Sequence, residues 1–188
     1  MSEEEDYFKK QILTYMGNKR KYLTKIDEII LLVKTELNED SIRIGEGFSG
    51  SGIVSRLFKN RASDASSSNI PGTFYVNDIS GYSKTLNECF LTSTKNLSTD
   101  DFETLIQYVK DIRAYIEKEE NPKPFVAKYW APRDDENIQP DERVYFTAEN
   151  AKIIDQMLYY IHNYVDEKYK CFLLAPLIVQ CSIHNNTN

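Results

Sequence analysis

Three polar residues far apart in the chain have types and settings that suit binding chemistry: Lys19, Glu46 and Asp78. Glu46 ends the alternating run "SIRIGEGF" and opens "EGFSGSG", which sets Gly47, Gly50 and Gly52 within six residues, just ahead of an apolar-periodic stretch. A strand ending in an acid, then a loop of Gly and Ser, then a helix, is a cofactor-cradling arrangement. Small residues let the backbone approach a ligand, and a helix N-terminus offers unpaired N–H groups. The same string is also an ordinary tight turn with nothing bound. It lacks the lysine of a P-loop, which argues against a triphosphate site. Asp78 stands at the carboxyl end of the next apolar run, "TFYVNDIS". In an open α/β sheet an acid there accepts hydrogen bonds from a ribose or another donor. An Asn-Asp turn or a helix cap accounts for it equally well. Lys19 belongs to "GNKRKYLTK" (17–25), the densest basic cluster, which also reads as the solvated start of a helix.

The elements that must position these residues follow from hydrophobic spacing. Leu23, Ile26, Ile29, Ile30, Val33 and Leu37 recur at helical intervals and predict a helix over 23–37. "SIRIGEGF" predicts a strand, "SGIVSRLFKN" a helix, and "RASDASSSNIPG" (61–72) a polar, breaker-rich loop. "TFYVNDIS" predicts a second strand and "GYSKTLNECFLTS" the helix that follows it. Residues 99–118 predict an amphipathic helix capped by Ser98 or Thr99, with Phe102, Leu105, Ile106, Val109, Ile112 and Ile116 on one face. Residues 121–146 are irregular, but their Phe125, Tyr129, Trp130, Tyr145 and Phe146 predict an ordered, packed arm. "TAENAKIIDQMLYYIHNYV" opens with a threonine cap and an acid in the first turn. "KCFLLAPLIVQCSI" predicts an apolar closing helix, kinked at Pro176, whose surface needs a partner to cover it. The alternation of helix and strand in the first half is that of an α/β sheet domain.

Composition narrows the function classes. The 188 residues suffice for one domain with a real core but are marginal for two, and 41% hydrophobic with 28% charged residues is ordinary for a soluble protein. No run approaches the roughly 18 apolar residues of a membrane span. "MSEEEDYFKK" has no apolar segment of the signal-peptide kind. Three unevenly spaced cysteines fit a reducing compartment, and with only two histidines a zinc site is not expected. The expected location is cytoplasmic. A net charge of −6 argues against a uniformly basic nucleic-acid binder.

Taken in order, "YMGNKRKYL", "GEGFSGSGIVSRLFK" and "YVNDIS" resemble the N-terminal half of the Dam-like (D12 class) DNA adenine-N6 methyltransferases. "RVYFTAENAKIIDQM" is similar to a segment further along such enzymes, so the resemblance covers nearly all of the chain. It implies a partial Rossmann-like, S-adenosylmethionine-dependent methyltransferase domain of the α/β class with helical additions. Residues 1–22 would be a lead-in and cofactor-closing segment, and 23–120 the first half of the α/β domain. The aromatic arm would span 121–146 and C-terminal helices 147–188. In the site so implied, Tyr15, Met16, Gly17 and Lys19 close the S-adenosylmethionine pocket. Glu46, Phe48, Ser49, Gly50, Ser51 and Gly52 form the loop beside the methionine part of the cofactor. Asp78 binds the ribose, and Ile79 packs on the adenine. Asn18 stands where many members have a second glycine, and Gly47 replaces a proline common after the acid. The carboxylates suit a sulfonium cation and ribose hydroxyls, and Lys19 suits the methionine carboxylate.

The family's catalysis depends on an Asp/Asn-Pro-Pro-Tyr/Phe loop that grips a flipped-out adenine. This sequence has no Pro-Pro dipeptide; "NIPG" (69–72) and "NPKP" (121–124) are the nearest strings. No catalytic residue and no metal ligand is therefore expected. The chain reads either as the cofactor-binding portion of a DNA methyltransferase, completed by another polypeptide or a second copy, or as a derived, non-catalytic relative. Two further readings stay open: a protein-interaction module with a merely structural glycine bend, and an RNA or protein methyltransferase on the same cofactor domain.

Overall fold

A computed structural model describes residues 12–13, 19–38, 42–63, 73–118 and 123–186. Tyr15, Met16 and Gly17 of the expected closing segment, and the "NIPG" string, lie outside them. The chain divides into two compact units, Met1–Thr92 and Ser93–Asn188.

In the first unit a 3-10 turn, Lys19–Tyr22, leads into α1 (Leu23–Leu37), which has the bounds that the hydrophobic spacing predicts. It stops where Asn38 adopts a left-handed conformation and its N–H donates to Thr35 O at 3.1 Å. Strand β1 (Ile44–Glu46) and strand β2 (Phe74–Val76) pair in parallel, Ile44 opposite Phe74 and Glu46 opposite Val76, with α2 (Ile53–Ser63) between them in sequence. Helix α3 (Gly81–Leu91) follows β2. Both strands are only three residues long, shorter than the sequence suggests. Helix α2 runs through Ser63, past the expected start of the loop at 61, and residues 64–72 lie outside the described residues. Alternation decides what the sheet buries. Ile44 and Phe74 pack with Leu23, Ile53, Val54 and Phe58, whereas Gly45 and Tyr75 on the opposite face are exposed. A bidentate pair from Arg61 to Asp27 ties α2 to α1, and the buried Lys59 donates to the Phe90 and Thr92 carbonyls at the end of α3.

The second unit is helical: α4 (Thr99–Glu117), the short α5 (Val126–Trp130), α6 (Ala148–Tyr164) and α7 (Glu167–Ile183). Ser98 caps α4 through a capping box with Asp101, and Thr147 caps α6 by accepting from Asn150 N–H. Helix α4, expected to belong with the α/β part, packs on α6 and α7 instead, so the division falls at Thr92 rather than near residue 120. Its buried stripe is also rotated from the expected one. Asp101, Tyr108, Ile112 and Ile116 turn inward, and Phe102, Ile106 and Val109 are exposed.

The stretch read as irregular contains α5, and of the five aromatic residues expected to pack, Phe125, Tyr129 and Trp130 are exposed whereas Phe146 is buried. Val126, Ala131 and Phe146 are buried with Ala151, and Phe146 N–H donates to Trp130 O at 3.0 Å. Helix α7 passes through Pro176, which lies at an exposed position. Leu177 is buried and Leu173, Leu174 and Cys181 are half-buried against the core with Ile112 and Ile161. The apolar surface expected to need an outside partner is thus largely covered within its own unit. Among the described residues no helix is long and apolar enough to cross a membrane.

Candidate cofactor site

The glycine loop leaves β1 at Glu46 and enters α2 at Ile53, and two residues along it turn it back. Gly50 (φ 53°) and Gly52 (φ 72°) both adopt left-handed conformations that L side chains rarely take. Local hydrogen bonds fix the bend: Gly52 N–H donates to Ser49 O at 2.8 Å, and Ser49 N–H to Asn77 O at 3.1 Å. Asn77, just past β2, clamps the two strand ends, donating its N–H to Glu46 O at 2.9 Å and its side-chain amide to Gly47 O at 3.1 Å.

Around this bend the three polar residues of the sequence converge. Lys19 Nζ donates to Glu46 Oε1 at 3.3 Å and to Phe48 O at 3.0 Å, across 27 and 29 residues of chain. The second Glu46 oxygen accepts from Ser55, a fully buried hydroxyl on α2. Asp78 Oδ2 accepts from Gly50 N–H at 2.8 Å and Oδ1 from Ser80 N–H at 3.0 Å. Those two N–H groups, Gly50 foremost, hold the Asp78 carboxyl below its ordinary value, so it is charged and oriented at neutral pH. A cleft of 530 Å³ opens beside β2, bordered by Ser49, Val76, Asp78, Lys84, Asn87 and Glu88.

The loop divides into a buried and an open part, which glycine spacing alone does not reveal. Ser49 to Gly52 are buried, and the N–H groups of Ser49, Gly50 and Gly52 are all used within the protein. The expectation that this part offers unpaired N–H groups to a ligand is therefore corrected for those three residues. Gly47 and Phe48 face solvent instead, and the space where a side chain at Gly47 would stand is open. Phe48 is 83% exposed and Ile79 fully so, leaving two apolar side chains bare beside Lys19 and Asp78. Sequence reasoning missed the buried polar residues behind the loop, Ser55, Ser83 and Asn87, and the exposed Asn77 that clamps the strand ends. For Ser83 and Asn87 a signal existed, because they share with Leu86 and Phe90 the helical face that an ordinary core helix fills with apolar groups.

This donor set fits S-adenosylmethionine. An oriented carboxylate suits ribose hydroxyls, and a lysine with two of its three N–H directions used suits a carboxylate. An uncrowded glycine and two bare apolar side chains suit close approach and a flat ring. Among the described residues no group of three His, Cys, Asp or Glu is arranged to hold a metal ion. The chain matches no protein-family model, no curated protein and no solved structure.

Proposed function

We propose that the first unit binds S-adenosylmethionine, and that the chain is the cofactor-binding portion of a site-specific DNA adenine-N6 methyltransferase of the Dam-like class. The observation that carries this reading is the convergence at the bend. Lys19 reaches Glu46 and the Phe48 carbonyl, while Gly50 N–H holds Asp78, so three separated sequence features meet at one loop. The order β1, α2, β2 supports the first part of a Rossmann-like sheet, with the acid at the carboxyl end of the second strand.

In this reading Asp78 accepts from the ribose hydroxyls and Lys19 meets the methionine carboxylate with its remaining N–H. Glu46 and Ser55 keep Lys19 in position, and Ile79 and Phe48 give the adenine and the methionine chain apolar cover. The bound cofactor supplies an electrophilic methyl group on a sulfonium centre. The chain alone transfers none of it to DNA, because the sequence offers no amide-and-aromatic loop to hold a flipped base. DNA is the partner of the complete enzyme, and a completing polypeptide or a second copy supplies the rest.

Titration calorimetry with S-adenosylhomocysteine tests the proposal, on the purified chain and on its complex with any polypeptide that co-purifies. Saturable heat and a raised thermal midpoint are expected. No heat and no thermal shift at millimolar ligand contradicts the reading and favours the interaction module.

A further inference from the structure

We propose that Ser83 and Asn87 of α3 are positioning residues that fix the shape of the glycine loop for its ligand, an inference that rests on the cofactor reading above. Both are buried, Ser83 completely, on the same face of α3 as the buried Leu86. A hydroxyl and an amide in such places cost stability unless their hydrogen bonds are made, and an apolar pair would serve packing alone. Here the bonds are made, and two of the three go to the loop. Ser83 Oγ donates to Gly50 O, and Asn87 Nδ2 donates to Ser49 Oγ at 2.9 Å and to Ser83 O at 2.8 Å.

Gly50 is consequently held from two sides, its carbonyl by Ser83 and its N–H by Asp78. The direction in which Asp78 presents its carboxylate depends on that grip. Asn87 also explains Gly52. A Cβ built on Gly52 would lie 2.3 Å from Asn87 Oδ1, so the amide occupies the place that any side chain at 52 would need. The glycine there answers to α3 rather than to a ligand. Ser83 and Asn87 together make one brace, one helical turn apart, behind the loop, and Asn87 also borders the cleft beside β2.

The test compares wild type, Asn87→Ala and Ser83→Ala by amide hydrogen exchange without ligand and by calorimetry with S-adenosylhomocysteine. Faster exchange at the Gly50 and Gly52 amides is expected in both variants, with α1 and α6 unchanged. The affinity for S-adenosylhomocysteine should fall about tenfold, the size of one lost hydrogen bond. Ser49→Ala added to Asn87→Ala should cost little more than Asn87→Ala alone, because the two act through one bond. A merely structural role predicts a lower thermal midpoint with affinity unchanged, and that result, or unaltered loop exchange, overturns the proposal. Ser83→Ala removes a single hydroxyl and keeps the test usable if Asn87→Ala does not fold. A wild-type protein that binds no S-adenosylhomocysteine overturns the cofactor reading instead, and loop exchange then decides separately whether α3 braces the bend.

Discussion

In the first unit the buried side chains Ser55, Ser83 and Asn87 converge on a loop, whereas in the second the buried carboxylates of Asp101 and Asp155 each serve the start of a helix. Asp155 accepts from the N–H groups of Phe125, Val126 and Ala127 at 3.1, 2.7 and 2.9 Å, capping α5 from a helix some thirty residues away. Asp101 closes the capping box of α4 and also accepts from Lys168 and Tyr169 of α7. Around them tyrosines pack on one another, Tyr115 stacking on Tyr159 with centroids 6.1 Å apart. Polar burial in the second unit thus locks helices to each other. In the first it shapes a bend whose outer surface carries charge and bare apolar groups. The braced part of the loop, Ser49 to Gly52, is buried and its neighbours Gly47 and Phe48 face solvent, the arrangement from which the proposed binding role is argued.

The largest effect that sharpens this contrast belongs to the second unit. Asp155→Ala leaves three buried or half-buried N–H groups without their acceptor, and should cost about 3 kcal/mol in urea unfolding. It should leave S-adenosylhomocysteine affinity untouched. A cost below about 1 kcal/mol would mean that α5 finds other acceptors, and would blur the distinction between the two units.

Next in size is a pair of glycine substitutions in the first unit. Gly52→Ala meets both the positive φ and the Asn87 amide, and should destabilise by about 2 kcal/mol. Gly47→Ala enters open space and should change stability by less than about 0.5 kcal/mol. On the proposed reading, ligand affinity should drop for Gly47→Ala all the same, because the cofactor would approach there. Equal stability losses, measured by thermal and urea unfolding, would refute the division of the loop into a braced and an open part.

Acid should separate the units more gently. Hydrogen bonds hold the Asp78 carboxyl below its ordinary value, the Gly50 N–H first. Asp101 is held well below, chiefly by Lys168. A carboxylate whose folded pKa is depressed stabilises the protein at neutral pH, and that stabilisation is lost as pH falls through the unfolded value toward the folded one. Thermal midpoints of the wild type should therefore decline below about pH 4. Asp101→Asn should already be less stable at pH 7 and should decline less steeply. A parallel decline in both proteins would show that Asp101 does not carry the acid dependence.

Much of this was legible in the sequence where the cause is local. The bounds of α1 follow from apolar spacing, and the caps Ser98 and Thr147 from short side chains ahead of periodic runs. Lys19, Glu46 and Asp78 were readable as candidates from residue type and order, although nothing local says that Lys19 reaches Glu46. What was hidden depends on distant partners. The strands are short because pairing extends only over Ile44–Glu46 and Phe74–Val76, whatever the isoleucine alternation before it. The inward stripe of α4 is chosen by α6 and α7, and Asp155 became a cap only by folding. Glycine type alone cannot separate Gly52, emptied by Asn87, from Gly47, which faces open space.

The most direct test of the central claim, that Lys19, the loop and Asp78 make one cofactor pocket, is a calorimetric comparison of Lys19→Ala with Lys21→Ala. Lys19 is bonded to Glu46 and Phe48 O, whereas Lys21 is exposed and lies over the ring of its neighbour Tyr22 at 5.0 Å. Lys19→Ala should weaken S-adenosylhomocysteine binding about tenfold or more, the value of a charge-assisted hydrogen bond. Lys21→Ala should leave it within about twofold, as for a solvated surface charge. Equal losses from the two substitutions, or none from either, would contradict the account and return the basic segment to the solvated start of a helix.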